Sequence, residues 1–270
     1  MSNPRLPAET LDHIVDLLHD AKSALRNCCL VSKSWIPRTR KHLFADIGFH
    51  TVRNLESWKE TFPDPLTSPA HYAQSLSVSC THAVTPADAE EGGWLRGFSR
   101  AVHLGLGSSA SPPSRLRVSL TPLHKSSLIP YHGFSPAIRS LCMAFAFLSP
   151  ETFDFIISFP LLEDLTVITY GTLPDEGSGG PDRSSAVTQP PNSPTLTGSL
   201  ELSRGGIKTL TRPLLSLPGG IHFRKLILTC GREWDIPLTT ALVDGCSHTL
   251  ESLDVACSSD GPQVQHSPPD

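Results

Sequence analysis

The chain has 270 residues, 39% of them hydrophobic and 18% charged, enough for one large domain or for a small module joined to a larger one. Its net charge of −4, without a long basic run, leaves no electrostatic footprint for nucleic acid. The longest apolar run, residues 141–148, is far too short to span a membrane.

Residues 1–5 read as a loose leader. A first helix is expected from Pro7 to Asp20. Proline suits the first helical position, Glu9 and Asp12 lie near the positive end of the dipole, and Leu11, Ile14, Val15 and Leu18 form one apolar stripe. A second helix is expected to open with Ser23 as its N-cap. It carries Leu25, Cys28, Cys29, Leu30, Val31, Trp35 and Ile36, too many apolar groups for a single face. Pro37 stops this helix and begins a third, with Arg38, Arg40 and Lys41 toward solvent and Leu43 and Phe44 inward.

Three helices in about 40 residues bury too little surface to be robust alone. The trio is therefore expected to meet a partner protein or the rest of the chain. Leu6, Pro7, Ile14, Leu30, Val31 and Trp35 are the candidate partner-binding residues. Trp35 is the expected energetic anchor, because aromatic residues dominate interface hot spots. The opposing expectation is that these residues are private core, or that the helices cap the downstream strands and bury Leu30, Val31 and Trp35 near Leu76.

Ile47 and Phe49 alternate with polar residues and predict a short strand. Val52, Leu55 and Phe62, with Trp58 nearby, predict a helix over about residues 51–61, ended by Pro63 and Pro65.

After residue 70, short leucine-centred segments recur at Gln74–Val78, Ala101–Leu106, Ile138–Cys142, Leu165–Ile168, Gly198–Leu202, Phe223–Leu228 and Leu250–Val255. The anchors Leu76, Leu104, Leu141, Leu165, Leu200, Leu226 and Leu253 are 28, 37, 24, 35, 26 and 27 residues apart. Four of these six gaps fall within the roughly 20–29 residue period of leucine-rich repeats. Helical patterns at Pro150–Phe159 and Pro237–Cys246 precede strands, and this alternation predicts parallel pairing. Residues 171–199 contain five Gly, five Pro and five Ser and read as a flexible insertion; the tail after Cys257 has the same character.

The seven cysteines are irregularly spaced and include no Cys-x-x-Cys. With no signal-peptide pattern and no Asn-x-Ser/Thr sequon, they predict a reducing, intracellular compartment. None of the 12 histidines lies four residues from another, and His-Glu-x-x-His, Gly-x-Ser-x-Gly and a Walker A loop are all absent. Glu163 and Asp164 are neighbours on a strand and point to opposite faces, so they are not expected to act as an acid–base pair. No catalytic residue, metal or cofactor is expected.

Residues 6–44 resemble the F-box. The motif is carried by Leu6, Pro7 and Glu9, then Ile14 and Leu18, then Leu30, Val31, Ser32, Lys33 and Trp35, then Arg40, Leu43 and Phe44. The downstream layout is similar to F-box proteins of mushroom-forming fungi that carry degenerate leucine-rich repeats. That resemblance implies an α/β chain: a three-helix F-box-like module followed by an irregular leucine-rich-repeat-like solenoid with parallel strands. The expected boundaries are 1–47 for the module, 48–70 for a connecting strand and helix, 71–257 for the repeats and 258–270 for a disordered tail.

It also implies a role. The helices would dock a Skp-type adaptor within a cullin ubiquitin ligase, and the repeats would hold a protein substrate, with chemistry done elsewhere. His103, Arg139, Thr166, Glu201, Lys225 and Asp254 are candidate substrate contacts by strand alternation. The alternatives are a structural or sensing repeat protein and a hydrolase built on the α/β section.

Overall fold

The computed structural model describes residues 7–78, 92–107, 134–145, 151–169, 194, 196–230 and 235–257. Leu6, most of the expected insertion at 171–199 and the tail at 258–270 lie outside the described residues. Those described up to Ile138 form one compact unit, and those from Arg139 onward form a second.

The first unit opens with three helices, α1 (Ala8–Leu17), α2 (Lys22–Val31) and α3 (Ile36–Leu43), and α3 packs on both of the others. Their ends differ from the sequence expectation. Pro7 is the extended N-cap of α1, not its first helical residue. At the other end, Leu18 and His19 donate three residues back, to Val15 and Asp16 at 3.1 and 3.2 Å, and this tightened turn stops α1 before Asp20. Ala21, not Ser23, precedes α2 and offers no side-chain cap. Ser32 then takes an extended backbone and its hydroxyl accepts from the Ser34 N–H at 3.3 Å, so α2 ends at Val31. Trp35 consequently lies in a short 3-10 turn, Lys33–Trp35, rather than on α2.

A polar network ties the trio together. Arg38 of α3 holds both carboxylate oxygens of Asp16 on α1, and His42 Nε2 meets Asp16 Oδ1 at 2.7 Å. Lys22, at the start of α2, donates to the His42 carbonyl at 2.7 Å. The Arg38 hydrogen bond first, and the His42 bond second, hold the Asp16 carboxyl well below the usual carboxylate range. A depressed carboxyl adds stability that is present above its unfolded value and is lost as pH falls through the folded one. Asp16→Asn should therefore lower the melting temperature at neutral pH. The gap from wild type should close on acidification below about pH 4, as thermal melts taken from about pH 7 down to about pH 2 would read.

The unit continues with β1 (Asp46–Phe49), α4 (Val52–Thr61), β2 (Ser75–Val78), a 3-10 segment (Gly92–Phe98) and β3 (His103–Gly107). Thr51 caps α4 by accepting from the Asn54 N–H. β1 pairs with β2 and β2 with β3, all parallel, with Ile47 opposite Leu76 and Leu76 opposite Leu104. The expected short strand at Ile47 and Phe49 is thus the first rung of this ladder. Behind it, Phe49 presents its ring to Trp58, Trp94 and Phe98 in edge-on contacts, with centroids 5.6, 5.7 and 6.3 Å away.

The second unit runs β4 (Ser140–Phe145), α5 (Glu151–Ile157), β5 (Asp164–Thr169), β6 (Ser199–Ser203), α6 (Arg204–Leu215), β7 (Lys225–Cys230), α7 (Asp235–Cys246) and β8 (Ser252–Cys257). Each strand pairs parallel with the next, and Leu141, Leu165, Leu200, Leu226 and Leu253 stand on one rung. Leu165, Leu200 and Leu226 are fully buried, each contributing about 1.5–3 kcal/mol of transfer free energy. Phe155 and Ile156 of α5, with Ile207, Leu210 and Leu214 of α6, supply the other side of this core.

α6 was not foreseen. Its Gly205-Gly206 start and internal Pro213 discourage a helix, yet Ile207, Leu210 and Leu214 bury one face and outweigh propensity.

One backbone device recurs at the strand entries. The carbonyl just before a strand accepts two successive N–H groups at the start of the next. Ala45 accepts from Gln74 and Ser75, and Gln74 from Val102 and His103. Arg139 accepts from Glu163 and Asp164, Gly198 from Arg224 and Lys225, and Arg224 from Glu251 and Ser252.

β6 varies the theme. Gly198 N–H still reaches the Glu163 carbonyl, but Ser199 N–H turns to Asp164 Oδ1 at 2.7 Å. A Cβ on Gly198 would overlap that carboxylate and press to 3.0 Å from the Glu163 carbonyl oxygen. One on Gly206 would meet nothing closer than 3.5 Å. Chemical denaturation should find Gly198→Ala destabilising by about 1–3 kcal/mol. Gly206→Ala should instead stabilise by about 0.5–1 kcal/mol, because Gly inside a helix costs backbone entropy.

Candidate docking surfaces

At 100° per residue, α2 turns Leu25 and Cys28 to the same side, and both are buried against the trio's interior. Leu30 falls on the opposite side and Val31 about a quarter-turn from either, and they are 86% and 68% exposed. On α1 the stripe Leu11, Val15 and Leu18 turns inward, with Val15 fully buried. Ile14 sits at the edge of that stripe at 36% exposure, and Leu17 next to it on the helix surface is 69% exposed.

Of the six residues expected to face a partner, Pro7, Ile14, Leu30 and Val31 are exposed and Trp35 is half-buried; Leu6 lies outside the described residues. Leu17 was missed, although it lies three residues after Ile14, which alone could have flagged it. Leu76 is buried without help from Leu30 or Val31, so the capping expectation does not hold for those two side chains.

In the second unit the strand residues between the buried leucines form an open face. One row across it reads Cys142, Thr166, Glu201, Ile227 and Asp254, each paired with the next in register. Thr166 Oγ1 donates to Glu201 Oε2 at 3.4 Å. Burial first, and the nearby Glu201 second, push the Cys142 thiol up. Lys225 and Asp254 are exposed on this face, and His103 is exposed on β3 of the first unit.

Arg139 lies one residue before β4 rather than on it, and bonds Glu163 at 2.5 Å. Arg224 and Glu251 make a looser pair at the same edge, 3.9 Å apart. Glu163 and Asp164 have separate tasks, one on Arg139 and the other on Ser199.

Protein-family models, characterised proteins and solved structures were compared with the chain, and none matches it. Several of the described histidine rings have structural partners: His42 meets Asp16 across the helix trio, and His19, His71 and His222 turn to backbone carbonyls three residues away. Among the described residues no group of three or more His, Cys, Asp or Glu side chains is placed to hold a metal ion. Among the same residues no helix is long and apolar enough to cross a membrane.

Proposed function

We propose that this chain is an intracellular, non-catalytic adaptor of the F-box type. Its helices α1–α3 dock a Skp-type protein of a cullin ubiquitin ligase, and the open strand face, an irregular leucine-rich-repeat-like array, holds a protein substrate. The observation that carries the reading is the placement of Leu30 and Val31. Two large aliphatic side chains at adjacent positions stand in water on a helix whose other side is already buried. Leaving them exposed has a free-energy cost that a protein contact removes.

Three further features support it. The Leu-Val-Ser-Lys-Ser-Trp segment places its apolar residues at the end of α2 and in the turn after it. The strands stack in parallel with leucine on leucine, and the entry carbonyl device repeats from rung to rung, as expected of a repeat array. The open face carries acidic, basic and small polar side chains that offer charge and hydrogen-bond partners to another polypeptide.

A direct binding titration of the purified chain with a purified Skp adaptor tests the reading. Wild type should bind, and Trp35→Ala should lose about 2 kcal/mol, or roughly thirty-fold in affinity. Equal affinity for both proteins would remove Trp35 as the anchor. No binding by wild type would remove the adaptor reading.

A further inference from the structure

Cys230 is the last residue of β7 and Cys257 the last of β8, and the two are direct partners in the parallel register. Neighbouring strands lie about 4.8 Å apart, within the roughly 4.4–6.8 Å Cα separation that a disulfide spans. Directly paired residues also project from the same face of a sheet. On β7 that face carries Leu226, Leu228 and Cys230, all buried; on β8 it carries Leu253, Val255 and Cys257, all exposed. Both thiols are free.

The two cysteines also differ in access. Cys257 is open to solvent, whereas Cys230 is 5% exposed and rests 3.4 Å from the Thr239 hydroxyl. Of the remaining described cysteines, Cys246 interacts with the Phe223 backbone at the entry end of β7, the length of a strand from Cys230, and burial pushes its thiol up. Cys142 is exposed on β4, with β5, β6 and β7 between it and β8, and Cys28 and Cys29 lie on α2 of the first unit.

We propose that Cys230 and Cys257 are a modification site: an oxidised small thiol of the glutathione class converts them to an intramolecular disulfide that fastens β8 to β7. The exposed Cys257 reacts first. Its thiolate attacks one sulfur of the glutathione disulfide, forming a mixed disulfide and expelling one glutathione thiolate, which takes up a proton. The Cys230 thiolate then attacks the Cys257 sulfur and expels the second glutathione. Two protein thiols are oxidised and one glutathione disulfide is reduced to two thiols, so the exchange balances.

The bond would act on a strand held by its ladder to β7 but by little apolar burial. Every residue from Glu251 to Cys257 is exposed, and Leu253 and Val255 are 47% and 42% exposed where their β7 counterparts are fully buried. Such a strand is expected to open at low cost when reduced, and Asp254 of the open face opens with it.

The full chain, incubated with oxidised or reduced glutathione, is digested without reduction and mapped by mass spectrometry, and β8 amide exchange is followed in parallel. Oxidised glutathione should yield a Cys230–Cys257 linked peptide as the main cross-link. Exchange of the β8 amides should slow by at least about tenfold. Cys257→Ser should abolish the link, and Cys230→Ser should leave glutathione trapped on Cys257. The proposal is overturned if wild type accumulates glutathionylated Cys257 without closing the ring. It is equally overturned if Cys257 links mainly to another cysteine such as Cys80 or Cys142, or does not react.

Discussion

Replacing both Leu30 and Val31 with glutamine should weaken binding to a Skp adaptor by about thirtyfold or more while leaving the fold intact. Both side chains are mostly exposed, so their removal takes little from the core, and surface changes of this kind usually cost within about 0.5 kcal/mol. Glutamine is a good helix former and carries no charge to disturb the end of α2. In a docked complex the same positions would put two amides into an apolar contact. At about 1–2 kcal/mol or more for each buried amide, affinity should fall by about thirtyfold or more. Calorimetric titration, with a thermal melt as the control, separates the two effects. Leu25→Ala gives the opposite pattern: that side chain is wholly buried, and its loss should cost about 2–5 kcal/mol of stability.

The second large effect lies in the aromatic cluster of the first unit. Phe98 is 1% exposed and makes ring contacts with Phe49, Trp58 and Trp94 at 6.3, 6.1 and 5.9 Å. Phe98→Ala removes those contacts and leaves a cavity that rigid neighbours on β1 and α4 cannot fill. The expected loss is about 3–5 kcal/mol, a large share of the roughly 5–15 kcal/mol that stabilises a typical domain. Denaturant unfolding followed by tryptophan fluorescence would report it directly, since Trp58 and Trp94 sit in the cluster. A loss below about 1 kcal/mol would mean that these rings pack loosely.

The strands were the most legible part of the fold. A leucine flanked by polar residues on a period of two specifies one buried and one open face, and each of the seven leucine anchors stands in a strand with its ladder neighbour within the unit. Helix existence was legible from a one-sided apolar stripe in α1, α4 and α5, and from overall apolar character in α7. Helix ends were not, because Ser32 and the tightened turn at Leu18 act through backbone geometry that no single residue announces. α6 was hidden by Gly205, Gly206 and Pro213, whose local preferences are overruled by tertiary burial.

The docking candidates were partly legible. An excess of apolar residues on α2 marks a second apolar side, but periodicity does not say which residues the short bundle keeps for itself. Trp35 is half-buried for that reason, and Leu17 stands out in water. The Asp16, Arg38 and His42 network and the Cys230–Cys257 pairing were out of reach of sequence reading. Their members are 22 to 27 residues apart, and only the register and helix packing bring them together.

Hydroxyl-radical footprinting of the full chain, with and without a saturating purified Skp adaptor, tests the central claim most directly. Oxidation at Ile14, Leu17, Leu30 and Val31 should be high in the free chain and strongly reduced in the complex, while Leu253 and Val255 stay as reactive as before. Unchanged oxidation of Leu30 and Val31 in the presence of the adaptor would contradict the account, whether because no complex forms or because it forms elsewhere.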